Sequence, residues 1–390
     1  SKRAFFTAME ITAKNDQMAL ISASALGANM AAIMTIDGAI PYSAAGYERV
    51  MTHHYQAPNF LAAHSLEGAS VEIRRACAEQ NAALKRFENE VEKARKDGES
   101  KGVRYGESQI PREYAQLNEI AGRVKNSFQN AYTFYLSGIV YEALDMDNDA
   151  YIDYKKALEI FPDNKYLQED VLRLASSLRM DEDTNELTRR FKKKPRPLLQ
   201  QDEGEMILLL ESGFIPHKQE LHLTVSAGNK VVAISIPVYT AKKIAPPQYT
   251  IKANGKSLGS PEMICDFYAL AAKDLREQAP IIMTRQILRA ITKVAMQNEA
   301  QKRLGQAGAL AAAIYSIATE QADLRSWLTL PSVAQVMRVP MKMGKHKITL
   351  SDPTGVVTEL EVEIAAGRRT IIHAVETNKR HIYPTVITAI

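Results

Sequence analysis

The sequence predicts an α+β chain: an N-terminal helical array, then a β-sandwich-like domain with a helical insertion. Three observations predict it. Residues 1 to about 115 are rich in Ala, Leu, Met and Glu, with apolar positions at three- and four-residue spacing, and a helix-pair pattern continues to about 188. Beyond Arg189 the period becomes that of strands, in short β-rich runs set off by Gly, Pro and Asn. A stretch from Pro261 to about Gln321 returns to helical composition before strands resume. The chain has 390 residues, 46% hydrophobic and 24% charged, which is enough for more than one packed unit.

The first segment, 1–115, reads as helical and repeat-like in degenerate form. A helix begins at Tyr47-Glu48-Arg49-Val50-Met51 and runs towards Ala63, with a restart expected at Pro58. A break at His64 to Gly68 precedes a long amphipathic helix. Val71, Ile73, Ala76, Ala83, Leu84, Phe87 and Val91 are its apolar positions, and Glu72, Arg75, Glu79, Lys85, Glu88 and Lys93 lie on its charged face. Lys96 to Ser108 is polar and reads as an exposed loop. Met18 to Met34 is apolar but rich in Ala, Ser and Gly, modest for the ~20 residues of a membrane span. It reads instead as a buried or self-associating helix, a candidate self-association element.

The segment 116–188 holds the clearest pattern. Phe134, Gly138 and Tyr141 fall on one helix, and Ala150, Tyr154, Ala157 and Pro162 on the next. Small residues stand where two helices approach, large aromatics fill the space around them, and the proline ends the pair. That is the tetratricopeptide (TPR) pattern, with Leu136 one residue before its usual place. Tyr166 to Met180 supplies a helix to cover the far side, since a lone repeat cannot bury its faces. The groove-facing positions of such a repeat are Tyr135, Ile139 and Glu142, which makes them candidate partner-binding residues. Tyr135 and Ile139 stand where some TPRs carry the Lys and Asn that hold a C-terminal carboxylate, which argues against that type.

Residues 189–204 read as a basic linker, Arg189-Arg190-Phe191-Lys192-Lys193-Lys194-Pro195-Arg196 and a polar tail. The β-rich domain then spans 205–390, its helical insertion at about 261–328. Strands are expected at Glu205 to Glu211, Glu220 to Val225, Lys230 to Val238, Gln248 to Ala253, Gln335 to Val339, Lys345 to Leu350, Val356 to Ile364 and Thr370 to Glu376. Asn254-Gly255 is a hairpin signal. In the insertion, Pro261 reads as a first-turn proline and Pro280 as a helix break, with a further break at Gly305 and Gly308.

No motif names a chemistry. Asp145-Met146-Asp147-Asn148-Asp149 spaces carboxylates like a calcium loop, but Ala150 replaces its turn glycine and Lys156 its closing glutamate. Gly255-Lys256-Ser257 lacks the first glycine of a phosphate loop, with Thr250 in that place. His53 and His54 are adjacent on a helix and diverge. Cys77 and Cys265, on predicted helices, read as separate buried thiols. No serine sits in a nucleophile elbow. No catalytic residue, cofactor or metal is therefore expected. The net charge of +4 is too small to imply nucleic acid. Trp327, in Asp323-Leu324-Arg325-Ser326-Trp327-Leu328-Thr329-Leu330-Pro331, reads as an anchor holding the insertion against the sheet.

Three stretches together carry a family resemblance. They are 124–135 (Val124-Lys125-Asn126 through Tyr135), 149–158 (Asp149-Ala150-Tyr151 through Leu158) and 319–331 (Thr319-Glu320-Gln321 through Pro331). They resemble a little-characterised family of bacterial TPR-containing envelope lipoproteins, over most of the chain. The resemblance implies an exported protein on the periplasmic side of the outer membrane, often encoded near an activator lipoprotein of penicillin-binding proteins. It implies membrane association only through an N-terminal lipid anchor. The chain starts at Ser1 and shows neither the signal nor the anchor Cys, and the family supplies no catalytic residues. The expectation is a non-enzymatic scaffold or adaptor whose partners are envelope proteins or copies of itself. The alternatives are a cell-wall-directed binding module or enzyme acting through the β domain, and a nucleic-acid adaptor using Arg189 to Arg196.

Overall fold

A computed structural model describes residues 1–24, 41–100, 114, 117–227, 230–240, 242, 244–378, 381–387 and 390. The protein is mixed α and β, with several sheets. Its described helices are α1 (Lys2–Ser24), α2 (Gly46–Leu61), α3 (Leu66–Ser100), α4 (Asn118–Ala121), α5 (Ala131–Ala143), α6 (Asp147–Ile160), α7 (Lys165–Ser177), α8 (Asp181–Phe191) and α9 (Phe267–Ala318). The expected self-association stretch starts in the last turns of α1, and its remainder from residue 25 lies outside the described residues. So does most of the expected 96–108 loop, of which 96–100 are the end of α3.

Local chemistry sets these helices. The Asn130 side chain caps α5 by accepting from the Tyr132 and Thr133 amides, and Asn164 caps α7 in the same way. His64, at φ 56°, turns the chain between α2 and α3. Pro58 does not restart a helix, because α2 runs through it to Leu61. Pro280 likewise lies within α9, where buried Ala279, Ile281 and Met283 hold the helix against the interior. Packing there outweighs the amide hydrogen bond a proline removes. Pro261 begins no helix, since the segment after it is a strand.

The strands are β1 (Glu203–Ser212), β2 (Gln219–Ala227), β3 (Lys230–Val238), β4 (Thr250–Ala253), β5 (Lys256–Gly259), β6 (Glu262–Asp266), β7 (Val333–Lys342), β8 (Gly344–Asp352), β9 (Gly355–Ile364), β10 (Arg369–Asn378) and β11 (His381–Ile387). All eight expected runs coincide with strands, while β5, β6 and β11 were not anticipated. Cys265 therefore lies on a strand rather than a helix. Asn254 and Gly255, at φ 50° and 81°, make the tight turn between β4 and β5.

Five strands form one sheet in the order β11-β10-β1-β7-β6, and four form another, β5-β4-β8-β9. β2 and β3 pair as a separate hairpin. In the five-stranded sheet β1 is central, parallel to β10 and antiparallel to β7. It is buried along nearly its whole length, which a strand covered on both faces requires.

The helices and the sheets share one apolar core. Tyr132, Ile139, Tyr154 and Leu167 belong to the same buried cluster as Ile207, Leu209, Val336 and Ile371. The 189–204 segment does not separate two bodies. Arg189 to Phe191 complete the last turn of α8, Lys192 leaves it in a left-handed conformation, and Arg196 pairs with buried Glu205. At the start of α7, Asn164 donates to the Met263 carbonyl at 3.0 Å and the Tyr166 hydroxyl to the Ser260 carbonyl at 2.7 Å. The helical layer is thereby bonded to the sheet edge as well as packed on the sheet.

Candidate functional site

The helix pair α5–α6 places the three candidate partner-binding residues on one side. Gly138 lets that pair close, since a Cβ there would lie 2.4 Å from the Tyr154 ring. Tyr135, Ile139 and Glu142 then face inwards, at 0%, 0% and 2% exposure. The expected groove is filled by the chain's own sheet, so these residues are a seam inside the molecule and not an open binding surface. The expectation fails because the strands that cover them lie some two hundred residues further on.

The sheet face that meets the helices is set by strand register. Side chains alternate along a strand and match across paired strands. Glu205, Ile207, Leu209 and Glu211 of β1 therefore share a face with Arg338 of β7 and with Arg369, Ile371 and His373 of β10. Two polar stations result, ~20 Å apart along β1 at ~3.3 Å per residue, with Ile207 and Leu209 between them.

The first station centres on Glu142 and Arg338, both almost fully buried. Glu142 Oε1 accepts from Arg338 Nη1 at 2.8 Å, Arg173 Nη2 at 2.8 Å and the Tyr154 hydroxyl at 2.7 Å. Its Oε2 accepts from Arg369 Nη2 at 2.9 Å and Arg338 Nη2 at 3.1 Å. Arg338 also pairs with Glu205, and lies 3.2 Å from Asp170. Asp170 accepts from the Tyr135 hydroxyl at 3.2 Å. Burial opposes ionisation of Glu142, but the guanidiniums of Arg338, Arg173 and Arg369 outweigh it and hold the carboxyl well below its ordinary range. Glu205 is also buried, and Arg338, Arg173 and Arg196 bring it down to about 2.

The second station centres on Glu211. Its Oε1 accepts from the Tyr132 hydroxyl at 3.0 Å and pairs with His373 Nε2 at 3.1 Å, while Oε2 accepts from the Tyr55 hydroxyl at 2.9 Å. Burial would discharge both members of the ion pair, yet each holds the other charged: Glu211 is lowered and His373 raised. His54, beside the Tyr132 ring at 4.4 Å, has no such partner, and burial lowers it to about 3.

The remaining singled-out residues take structural places. The Trp327 ring lies 5.9 Å from Tyr55 and 6.0 Å from Phe5, and its backbone amide donates to Glu48 Oε1 at 2.8 Å. It anchors the return from α9 against α1 and α2 and packs against the shared core. Cys77 and Cys265 form no disulfide, and burial pushes both thiols up, Cys77 to about 12. Asp147 and Asp149 lie in the first turn of α6, where carboxylates suit the helix dipole. Among the described residues no cluster of three or more His, Cys, Asp or Glu could hold a metal ion. A cavity of about 100 Å³ opens between α6 and α8, lined by Tyr151, Lys155, Leu158, Asp183, Leu187 and Arg190. That is room for a few waters or one side chain.

One carboxyl stands apart. Asp274 of α9 is partly buried and raised to about 7, by burial first and then by Glu48, Glu277 and Glu90, with Lys218 opposing. A carboxyl raised on folding contributes stability below its unfolded value, and that contribution is lost as pH rises through the folded value. Asp274→Asn is therefore expected to stabilise the protein at about pH 8.5 by on the order of 2 kcal/mol and to change little at about pH 4. Urea unfolding midpoints at the two pH values measure this. Equal effects at both would show that the carboxyl is not held neutral.

Arg338, Glu205, Arg369, Asp170 and Arg173 were not singled out from the sequence. The available signal was a charge inside an apolar strand run: Arg338 within Val336 to Val339, and Glu205 and Glu211 bracketing Met206 to Leu210. Chemically the two stations form an ionic lock between layers, closed to solvent at Glu142, Arg338 and Glu211. Comparison with protein-family models, curated proteins and solved structures finds no match.

Proposed function

We propose that this chain is a non-enzymatic scaffold of the bacterial cell envelope that joins envelope proteins into an assembly. In this reading α5 and α6 form a TPR-like unit, α2 and α3 a degenerate one, and the β-rich half a sandwich-like module. The observation that carries it is the Glu142–Arg338 seam. It binds the helical array to the sheet, so that a partner docked on the helices and one docked on the β half are held at a fixed distance. The partner surface then lies on the outer faces of the array, with Tyr135, Ile139 and Glu142 serving the internal joint. The envelope setting rests on the resemblance of the 124–135, 149–158 and 319–331 stretches.

The test is cross-linking in the native envelope followed by identification of what co-purifies. Recovery of a defined set of envelope proteins is the expected result. Recovery of cell-wall fragments alone would replace this reading with a glycan-binding one and direct attention to the β half.

A further inference from the structure

Past Lys293, α9 forms a helical hairpin. Lys293 Nζ meets Glu320 Oε2 at 2.7 Å and closes its base. Gly305, at φ 63° and ψ −151°, turns the chain between the two arms, a conformation open only to glycine. Gly308 then packs on the first arm, where a Cβ would lie 2.5 Å from the Ala300 carbonyl oxygen. From Lys293 to Leu304 the first arm rises ~16 Å.

The tip is apolar and open. Residues 304–319 include no charged side chain. Leu304, Leu310 and Ile314 are 71%, 63% and 59% exposed, and Met296 and Tyr315 are also exposed. Such an arm, apolar or small on every side, belongs in a protein core or a membrane rather than in water. The arm after Gly305 is too short to span a bilayer, and no described helix is long and apolar enough to do so. Lys302 and Arg303 stand exposed beside the tip.

Two occupants compete for this surface, a second copy and a lipid interface. The exposed apolar side chains amount to the few-hundred-Å² class, short of the ~800 Å² per partner that a stable interface buries. They also lie on both arms and around the turn. A lipid interface needs only a tip to enter it, and cations beside an apolar tip complement anionic headgroups. We propose that the α9 hairpin inserts its tip into the interface of an anionic phospholipid bilayer. This contact is independent of any lipid anchor and of the scaffold reading.

Flotation of the purified full chain with vesicles tests it. Equimolar phosphatidylcholine and phosphatidylglycerol vesicles are compared with phosphatidylcholine alone. The protein is expected to float with the anionic vesicles, and the double variant Leu310→Glu, Ile314→Glu to lose about tenfold in bound fraction. Both positions are exposed, so an unchanged unfolding midpoint confirms that the variant is folded. Lys302→Glu with Arg303→Glu is expected to abolish the preference for anionic vesicles while leaving the fold intact. Failure of the folded protein to float, or equal flotation of the Leu310/Ile314 variant, would overturn the proposal. So would an oligomer seen by light scattering that the same variant dissociates while vesicle binding is absent, since a second copy would then cover the tip.

Discussion

Arg338→Ala is expected to destabilise the protein by about 3–5 kcal/mol, because it leaves buried carboxylates without their main counter-charge. Glu142 and Glu205 both lean on that guanidinium, and Asp170 lies beside it. Arg173, Arg196 and Arg369 remain, so the loss falls short of removing every charge partner. Arg338→Lys should recover only part of the loss, since an ammonium cannot bridge two carboxylates with a planar fork. Urea unfolding followed by far-ultraviolet circular dichroism measures both. A loss under about 1 kcal/mol, the range of exposed ion pairs, would show that the seam is solvated. The acid limb follows from the same contacts. Glu142 and Glu205 are depressed on folding, so their contribution is complete above the unfolded carboxylate range. It is lost as pH falls through the folded values, which for Glu205 means towards about 2.

Glu211→Ala should cost a similar amount, about 3–5 kcal/mol, by the same rule for broken buried pairs. It strands the Tyr55 and Tyr132 hydroxyls and the His373 ring at once. Glu211→Gln keeps an acceptor for the tyrosines but removes the charge, so it separates the two losses. The pH signature distinguishes them further. His373 is raised on folding by Glu211, so its contribution is full below its unfolded value and fades as pH rises through the folded one. His54 acts in the opposite direction. Its folded value is lowered to about 3, so stability falls as pH drops from its unfolded value towards that point. In Glu211→Gln the His373 contribution should vanish while the His54 acid limb stays. Persistence of both limbs would place the charge pairing of His373 elsewhere.

Much of the fold was legible because local pattern decided it. The α5–α6 pair showed in Gly138, Ala150 and Tyr154, whose sizes answer to one close contact. The eight expected strands showed in runs of β-rich composition between turn residues, and Asn254-Gly255 marked its own turn. What failed was whatever depended on distant chain. Pro280 carried a helix-breaking signal, but packing around Ala279 and Met283 decided otherwise. β5 and β6 are too short to establish a period, and β11 contains Pro384, a poor strand residue. The groove reading failed for the same reason. Glu142 looks like a groove residue when the α5–α6 pair is considered alone, and becomes a buried anion only when β7 brings Arg338 to it. The open tip at Leu310 and Ile314 was illegible because composition does not say which apolar residues find cover.

Helices and sheet form one body locked across the Glu142–Arg338 seam. Native-state hydrogen exchange, read by mass spectrometry on peptides covering 131–143 and 333–342, tests it most directly. A single body predicts the same opening free energy for both peptides, lowered together by Arg338→Ala. Separate opening of the helical peptide, with the strand peptide still protected and Arg338→Ala affecting only one of them, would contradict it.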